Sequence, residues 1–208
     1  MVRSSSTTPP AESGPAWGIA RLFPDQGQFS ERDYLQLTSS TNKLVEFTDG
    51  YIEVLSMPKT SHQKILAFIY AMVLSFVQPR NLGTVLFAPL RVQLRTGKYR
   101  EPDLVFMLAK HADRAGEDFW IGADLVMEIV SEDDPDRDIV EKRKEYAEAG
   151  IPEYWIVDPR VGEIELLVLS EGAYTSQGRF HTGDTVSSRL LPDFSLDVEA
   201  VFRAGRAK

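Results

Sequence analysis

The stretch of residues 124–159 constrains the fold of this 208-residue chain more than any other. An apolar run at 125–130 precedes a segment with helical spacing at 135–149, and a second apolar run covers 153–157. A buried strand, a helix and a second buried strand in this order predict a right-handed crossover between two parallel strands. Such a unit indicates a sheet with helices packed on it.

The rest of the chain adds strands on both sides of this unit. Asp49-Gly50 lies between two alternating runs and predicts a tight hairpin over Leu44–Leu55. Ser61 is placed to cap a helix running from about His62 to Gln78, which is apolar nearly all round and therefore expected to be sandwiched inside the fold. The predicted fold class is α/β of a mixed α+β type, with a mixed sheet, flanking helices, the N-terminal hairpin and a C-terminal β meander.

Hydrophobic alternation and turn residues predict further strands and one loop. A long strand over Thr84–Arg95 is expected to break near Pro89, a strand over Asp103–Leu108 follows, and Lys110–Gly122 is expected to be a polar loop. The predicted strands of the C-terminal meander are Glu163–Leu169, Ala173–Phe180 and Phe194–Val198.

Composition sets the limits on domains and partners. Residues 1–16 are rich in Ser, Thr and Pro and predict a disordered tail, and residues 17–208 predict a single domain. The longest apolar run, Ile65–Val77, is too short to cross a bilayer, so no membrane partner is expected. The absence of cysteine leaves oxygen or imidazole as metal ligands and suits a cytoplasmic location.

Net charge bears on nucleic-acid binding. Acids outnumber Lys and Arg by 31 to 23, giving a formal charge of −8. Proteins that bind duplex DNA through its phosphates usually carry clustered Lys and Arg. Binding would then depend on a local basic patch, for which Arg91, Arg95, Lys98 and Arg100 are the best candidates, or on a metal.

Each of two predicted apolar strands has one acid in it or directly before it. Glu128 is the only charge within residues 125–130, and a carboxylate buried there costs several kcal/mol unless it is paired or bound to a metal. Asp103 opens the preceding apolar run, at 104–108. On the following helix, Lys142 lies at the edge of an apolar face that includes Ile139, Val140 and Tyr146. Two acid-bearing strands and a lysine-bearing helix are typical of a magnesium-dependent phosphodiesterase.

These residues also carry a family resemblance. The chain resembles the Uma2 family (DUF820) of restriction-endonuclease-like proteins, within the PD-(D/E)XK nuclease superfamily, from about Tyr34 to Phe202. The matching positions are Pro102-Asp103, Glu128-Ile129-Val130-Ser131, Lys142 four residues before Tyr146, the run Gly150 to Asp158, Glu46 with Asp49-Gly50, and His62.

The resemblance implies a restriction-endonuclease-like core and a metal-dependent nuclease. Asp103 and Glu128 would bind Mg²⁺ or Mn²⁺, together with the backbone carbonyl of Ile129. Val130 occupies the position where the superfamily has its lysine, and the resemblance assigns that role to Lys142. Arg143 and Lys144 are the substitutes.

Two further residues each have more than one candidate role. Glu46 would complete the metal shell, or it is a solvated acid of the hairpin. His62 would contact the leaving group, would hydrogen-bond a metal ligand, or is an ordinary polar residue at the start of a helix. Asp103 as a turn cap and Lys142 as a surface lysine paired with Asp138 or Glu145 are the corresponding structural alternatives.

Three functions remain compatible with the sequence. The first is a metal-dependent endonuclease that hydrolyses phosphodiester bonds in DNA, expected as a homodimer because two symmetric sites cut two strands. The second is a non-catalytic interaction protein that retains the nuclease fold. The third is a hydrolase of a small phosphorylated molecule, for which an acidic surface is no obstacle.

Overall fold

A computed structural model describes residues 25–39, 43–132 and 134–206. The predicted tail, residues 1–16, lies outside these ranges. In chain order the elements are α1 (Glu31–Ser39), β1 (Val45–Thr48), β2 (Tyr51–Val54), α2 (Thr60–Val77), β3 (Gly83–Phe87), β4 (Val92–Arg95), β5 (Lys98–Arg100), β6 (Leu104–Leu108), a 3-10 helix (Ala109–Arg114), β7 (Trp120–Ile121), β8 (Leu125–Ile129), a π-helical turn (Arg137–Glu141), α3 (Lys142–Glu148), β9 (Glu153–Asp158), β10 (Glu163–Ser170), β11 (Ala173–His181), β12 (Thr185–Ser187), β13 (Ser195–Asp197) and α4 (Val198–Arg206).

The central sheet has six strands in the order β11-β10-β9-β8-β6-β3. β8 and β9 are parallel, as the crossover pattern predicted, and the other neighbouring pairs are antiparallel. Gly150 ends the crossover helix with a φ of +75°, a conformation that glycine adopts without steric cost. The sheet is therefore mixed.

Alternating side chains divide the core between the two faces of this sheet. On β8, Leu125, Met127 and Ile129 pack towards α2 and α4, whereas Val126 packs towards Tyr146 of α3. Glu128 is on the α3 side by the same alternation. The aromatic side chains of Tyr154 and Trp155 are fully buried, consistent with core residues.

A second sheet has five strands in the order β2-β1-β5-β4-β7. The predicted hairpin is present as β1 and β2, and both turn residues have positive φ, 47° at Asp49 and 89° at Gly50. β1 also pairs with β5, around a cluster of Tyr34, Phe47 and Tyr99. The hairpin is thereby held beside the segment that leads into β6.

The prediction for the first long helix needs two corrections. α2 begins at Thr60, so Ser61 lies inside it, and Lys59 at the cap position makes no side-chain capping bond. α2 is also not sandwiched, because its buried side chains form one stripe: Ile65, Leu66, Ile69, Val73 and Val77. At 18 residues it is long and apolar enough to cross a bilayer by length and composition, which the shorter run 65–77 had not suggested. Core helices of soluble proteins meet the same criterion.

Three other predicted elements have different boundaries in the structure. The strand expected over Thr84–Arg95 is two strands in different sheets, β3 and β4, separated by the cis Ala88–Pro89 bond. The expected polar loop at Lys110–Gly122 contains the 3-10 helix and β7. The strand expected at Phe194–Val198 is shorter, and α4 follows it directly. α4 packs Val198, Val201 and Phe202 into the α2 side of the core.

Candidate metal centre and cavity

Strand pairing brings Asp103 and Glu128 together. β6 and β8 pair with Leu104 opposite Met127, so the residues just outside this pair, Asp103 and Glu128, face each other. The Asp103 backbone N–H lies 3.4 Å from Glu128 Oε2, and the Ile129 N–H donates to Asp103 Oδ2 at 2.8 Å. The two predicted acids therefore converge at one end of the central sheet.

Glu128 is buried against the crossover helix. Lys142 Nζ lies 3.0 Å from Glu128 Oε1, the Tyr146 hydroxyl donates to the same oxygen, and Lys142 Nζ also lies 2.9 Å from Asp138 Oδ1. Burial raises the pKa of Glu128 well above its usual range; Lys142 opposes this shift, and the nearby charge of Asp103 adds to it. Burial alone would lower the pKa of Lys142, but Glu128 and Asp138 outweigh it and raise this pKa. Lys142 is therefore a buried cation held between two acids.

Helical spacing places Lys142 on the buried face of the crossover helix. Asp138, Lys142 and Tyr146 are buried at intervals of four residues, and residues four apart share one face of a helix. Val140, predicted on the apolar face, lies two residues from Asp138 and from Lys142, on the opposite side, and is 59% exposed. Of the two substitutes, Arg143 pairs with Glu165 and Lys144 with Glu148, both on other surfaces.

The donor set fits a hard divalent cation. Among the described residues, both hydrogen bonds to the Asp103 carboxylate use Oδ2, and the contact of Glu128 Oε2 with the Asp103 N–H is a long one. In a strand, the N–H and C=O of one residue point to the same side. Because the Ile129 N–H faces Asp103, its carbonyl is directed to the same edge. Two carboxylates and a carbonyl suit Mg²⁺, which keeps several waters.

Side-chain ligands alone do not make a closed metal cage. Over residues 25–39, 43–132 and 134–206, no group of three or more His, Cys, Asp or Glu side chains is arranged to hold a metal. A cation here would therefore depend on the Ile129 carbonyl, water and a substrate oxygen in addition to the two acids. Such open coordination is usual where Mg²⁺ acts on phosphate groups.

His62 contacts an acid of the centre. It lies in the first turn of α2, and its Nε2 is 3.0 Å from Asp103 Oδ2. Burial lowers the pKa of His62, but the hydrogen bond with Asp103 and the charge of Glu128 outweigh this effect and raise the pKa. This contact matches the expectation that His62 hydrogen-bonds a metal ligand.

Glu46 lies in a buried ion-pair network and not on the wall of the cavity. Its Oε2 is 2.9 Å from Arg100 and also pairs with Arg137, while its Oε1 accepts from the Glu101 N–H at 3.3 Å. Burial alone would raise the pKa of Glu46, but Lys142, Arg100 and Arg137 outweigh it and lower the pKa. Glu46 therefore links the hairpin to the crossover helix. This position differs from both expectations for Glu46, which were a place in the metal shell and a place in solvent.

The expected basic patch is largely neutralised by acids. Arg95 pairs with Asp49, Lys98 pairs with Glu145 at 2.6 Å, and Arg100 pairs with Glu46 and Glu145. Arg91 donates to the Thr38 hydroxyl. The strand therefore offers far less free positive charge than the sequence suggested.

A cavity of about 560 Å³ opens over the two acids. His62, Asp103, Glu128 and Lys142 line one part of it, together with Arg137, which pairs with Glu46 and Glu53. Apolar residues of the hairpin and of the loop after β3 also line it, as does Glu101. Neither Arg137 nor Glu101 was predicted as a site residue, although the spacing of Glu101 and Asp103, two residues apart before a strand, is a signal that both face one side.

Glu101 should make the stability of the protein depend on pH. Burial raises its pKa to about 7, a hydrogen bond from the Val45 N–H opposes the shift, and the charge of Glu46 adds to it. Because the folded state favours the neutral acid, this contribution is complete below the ordinary pKa of 4.5 and is lost as pH rises through about 7. Relative to the wild type, Glu101→Gln should gain about 1–3 kcal/mol in free energy of unfolding from about pH 4.5 to pH 8.

Urea unfolding of both proteins in a chelating buffer at several pH values measures this difference. A constant gap between the two proteins across that range would show that Glu101 ionises normally.

Comparisons with known proteins agree with the arrangement of these elements. The family model of Uma2, described as "Putative restriction endonuclease", matches residues 32–199. The chain belongs to the Uma2 family. The match spans the six-stranded and five-stranded sheets and every residue of the candidate centre, so the resemblance carried by Asp103, Glu128 and Lys142 is confirmed at the level of the family.

Solved structures confirm the fold class for this Uma2 protein. The chain is similar to the crystal structure of a protein from Anabaena variabilis described as a "putative nuclease belonging to DUF820". The two share 18% identity with a TM-score of 0.68, over 82% of this chain and 98% of the other. A search of the curated proteins found no match.

Proposed function

We propose that this Uma2 protein is a metal-dependent nuclease that hydrolyses phosphodiester bonds in DNA. The observation that carries the proposal is the convergence of Asp103, Glu128 and the Ile129 backbone beneath an open cavity, with Lys142 ion-paired to Glu128. A carboxylate and a lysine that share a buried site cost stability, which a merely structural site has little reason to retain.

Each residue has a distinct part in the proposed reaction. Asp103, Glu128 and the Ile129 carbonyl would hold Mg²⁺ or Mn²⁺. Such a cation lowers the pKa of a bound water and neutralises charge on phosphate oxygens. Lys142 holds its positive charge within the cavity, where it stabilises the negative charge that develops on the phosphate. His62 fixes the orientation of Asp103.

DNA is the proposed substrate because of the family, whereas the surface charge favours a second candidate. Arg95, Lys98 and Arg100 are paired with acids, and a cavity of about 560 Å³ could hold a small molecule. Hydrolysis of a small phosphorylated molecule is therefore the second proposal. For cleavage of both DNA strands we propose a homodimer acting in the cytoplasm, without a membrane partner.

The test is incubation of the purified protein with supercoiled plasmid and Mg²⁺ or Mn²⁺. Wild type should nick the plasmid only when metal is present. Asp103→Asn and Glu128→Gln, which preserve side-chain shape, should each lower the rate by at least about 100-fold. Mn²⁺ should raise the melting temperature of the wild type and raise that of either variant less.

Asp113→Asn, an exposed acid away from the cavity, is the control and should behave as wild type. If the plasmid stays intact but bis(p-nitrophenyl) phosphate is hydrolysed with the same dependence on Asp103 and Glu128, the small-molecule proposal replaces DNA. Absence of both activities, together with no effect of Mn²⁺ on the melting temperature, would favour the non-catalytic interaction protein.

A further inference from the structure

The cavity is much larger than the metal centre requires. Its volume of about 560 Å³ compares with roughly 30 Å³ for a single water molecule. A cation, its waters and one phosphate group would fill only a part of it. The whole volume is in the range of ordinary ligand pockets, about 300–1,000 Å³. The unfilled part therefore has room for a further portion of the substrate.

The lining of the cavity includes a group of apolar residues, called here its apolar part. They are Leu44, Val54 and Leu55 of the hairpin and Ala88 and Pro89 of the loop after β3. The Leu55 N–H donates to the Leu44 carbonyl at 2.9 Å, so the two leucines are held by backbone pairing. A flat, apolar group with polar edges suits such walls, and a charged phosphate does not.

One acid, Glu101, lies beside this apolar part of the cavity. Glu101 lines the cavity, is only 7% exposed, and accepts the Val45 N–H through Oε2 at 3.2 Å. Its carboxyl group therefore lies against the backbone between Leu44 and Val45. A carboxylate in this position can accept a hydrogen bond from an amino group of a bound ligand.

The apolar part is joined to the metal centre by a short segment of chain. Glu101 and Asp103 both line the cavity, and the intervening Pro102 does not. Two residues of extended chain span about 6.6 Å. A ligand that places a phosphate at Asp103 could therefore reach Glu101 with a group one sugar away. A nucleotide has this form.

We propose that the apolar part of the cavity, beside Glu101, binds one unpaired, amino-bearing nucleobase of a DNA strand whose phosphate lies at Asp103 and Glu128. The inference rests on the proposed nuclease function, because that function puts the phosphate there. The base must be out of the double helix to enter, so the substrate is single-stranded or carries an extruded nucleotide. The paired cations of β4 and β5 fit this substrate, since they leave little positive charge for a duplex backbone.

The choice between pyrimidines follows from the chemistry of Glu101. Cytosine presents an amino group at N4, and thymine presents a carbonyl oxygen at the equivalent position. A carboxylate accepts from the first and repels the second, whereas a protonated carboxyl group could also donate to thymine, so binding is compared at about pH 8.5, which favours the carboxylate. One hydrogen bond to a charged acceptor corresponds to about tenfold in affinity. At that pH, bulged cytosine should bind about tenfold more tightly than bulged thymine.

The experiment uses the full chain and fluorescein-labelled duplexes with one central bulged cytosine, thymine or abasic site, beside a fully paired duplex. Anisotropy in Ca²⁺ measures affinity, and gels in Mn²⁺ measure cleavage. Wild type should bind bulged cytosine best, and the abasic and paired duplexes weakly. Glu101→Gln should reduce the preference for cytosine over thymine, because an amide can donate as well as accept. Glu148→Gln, an exposed acid on α3, should keep it.

A second variant keeps the proposal testable if Glu101→Gln does not fold. Leu55→Trp enlarges a side chain that lines the apolar part and leaves every acid unchanged, and it should bind bulged and paired duplexes alike. Equal affinity of wild type for the cytosine and abasic bulges, or an unchanged preference in folded Glu101→Gln, would overturn the proposal. Base-dependent binding without cleavage would support the base site and count against the nuclease. Cleavage that ignores the bulged base would do the reverse.

Discussion

Lys142→Met should lower the rate of metal-dependent cleavage by about 10²–10³-fold. Lys142 Nζ lies 3.0 Å from Glu128 and lines the cavity, so its removal takes the cation away from the reacting phosphate. The same change leaves Glu128 and Asp138 buried without their shared partner, which should cost about 3–5 kcal/mol of stability. Cleavage assays and urea unfolding of the same preparation measure the two effects.

A double variant separates the two effects. Lys142→Met with Asp138→Asn removes one positive and one negative charge, so most of the lost stability should return while the activity should not. Lys144→Met is the matched control, since Lys144 is two residues away and its side chain is 77% exposed. Recovery of activity in the double variant would show that Lys142 has only a structural role.

Glu46→Gln should lower the free energy of unfolding by about 3 kcal/mol or more. Glu46 is fully buried and pairs with Arg100 and Arg137, so an amide in its place leaves the buried Arg100 and the half-buried Arg137 without their shared anion. The increase in melting temperature caused by Mn²⁺ should persist, because Glu46 does not line the cavity. Urea unfolding and thermal melting with and without Mn²⁺ provide both measurements.

Glu53→Gln is the matched control for Glu46→Gln. Glu53 pairs with the same Arg137, but its side chain is 56% exposed, so the change should cost no more than about 1 kcal/mol. A stable Glu46→Gln variant that no longer responds to Mn²⁺ would instead assign Glu46 to the metal shell.

Much of the candidate centre could be predicted from sequence because its geometry is local to paired strands. Asp103 and Glu128 each adjoin an apolar run, and the pairing of those runs places them together. Lys142 was identified through the family resemblance, and its four-residue spacing to Tyr146 agrees with the buried face that the two residues share. Val140 was predicted on the apolar face, but the structure has it exposed, because the face that carries Lys142 and Tyr146 is the buried one.

The surface charges could not be predicted in the same way. Arg95, Lys98 and Arg100 are close in sequence and suggested one basic patch. Their partners, Asp49, Glu46 and Glu145, come from the hairpin and the crossover helix, far away along the chain. Sequence spacing gives the position of a charge on its own element, but the opposite charge that neutralises it is brought by tertiary packing.

The sequence by itself determined the parallel crossover, the hairpin turn and the two acids, because hydrophobic alternation and turn chemistry act over a few residues. Only the tertiary structure decided that Glu46 belongs to an ion-pair network, that α2 buries one face, and that Glu101 lines the same cavity as Asp103. Each of these three features depends on contacts between segments that are distant in the sequence, because those contacts determine which side chains are buried and which charges are paired.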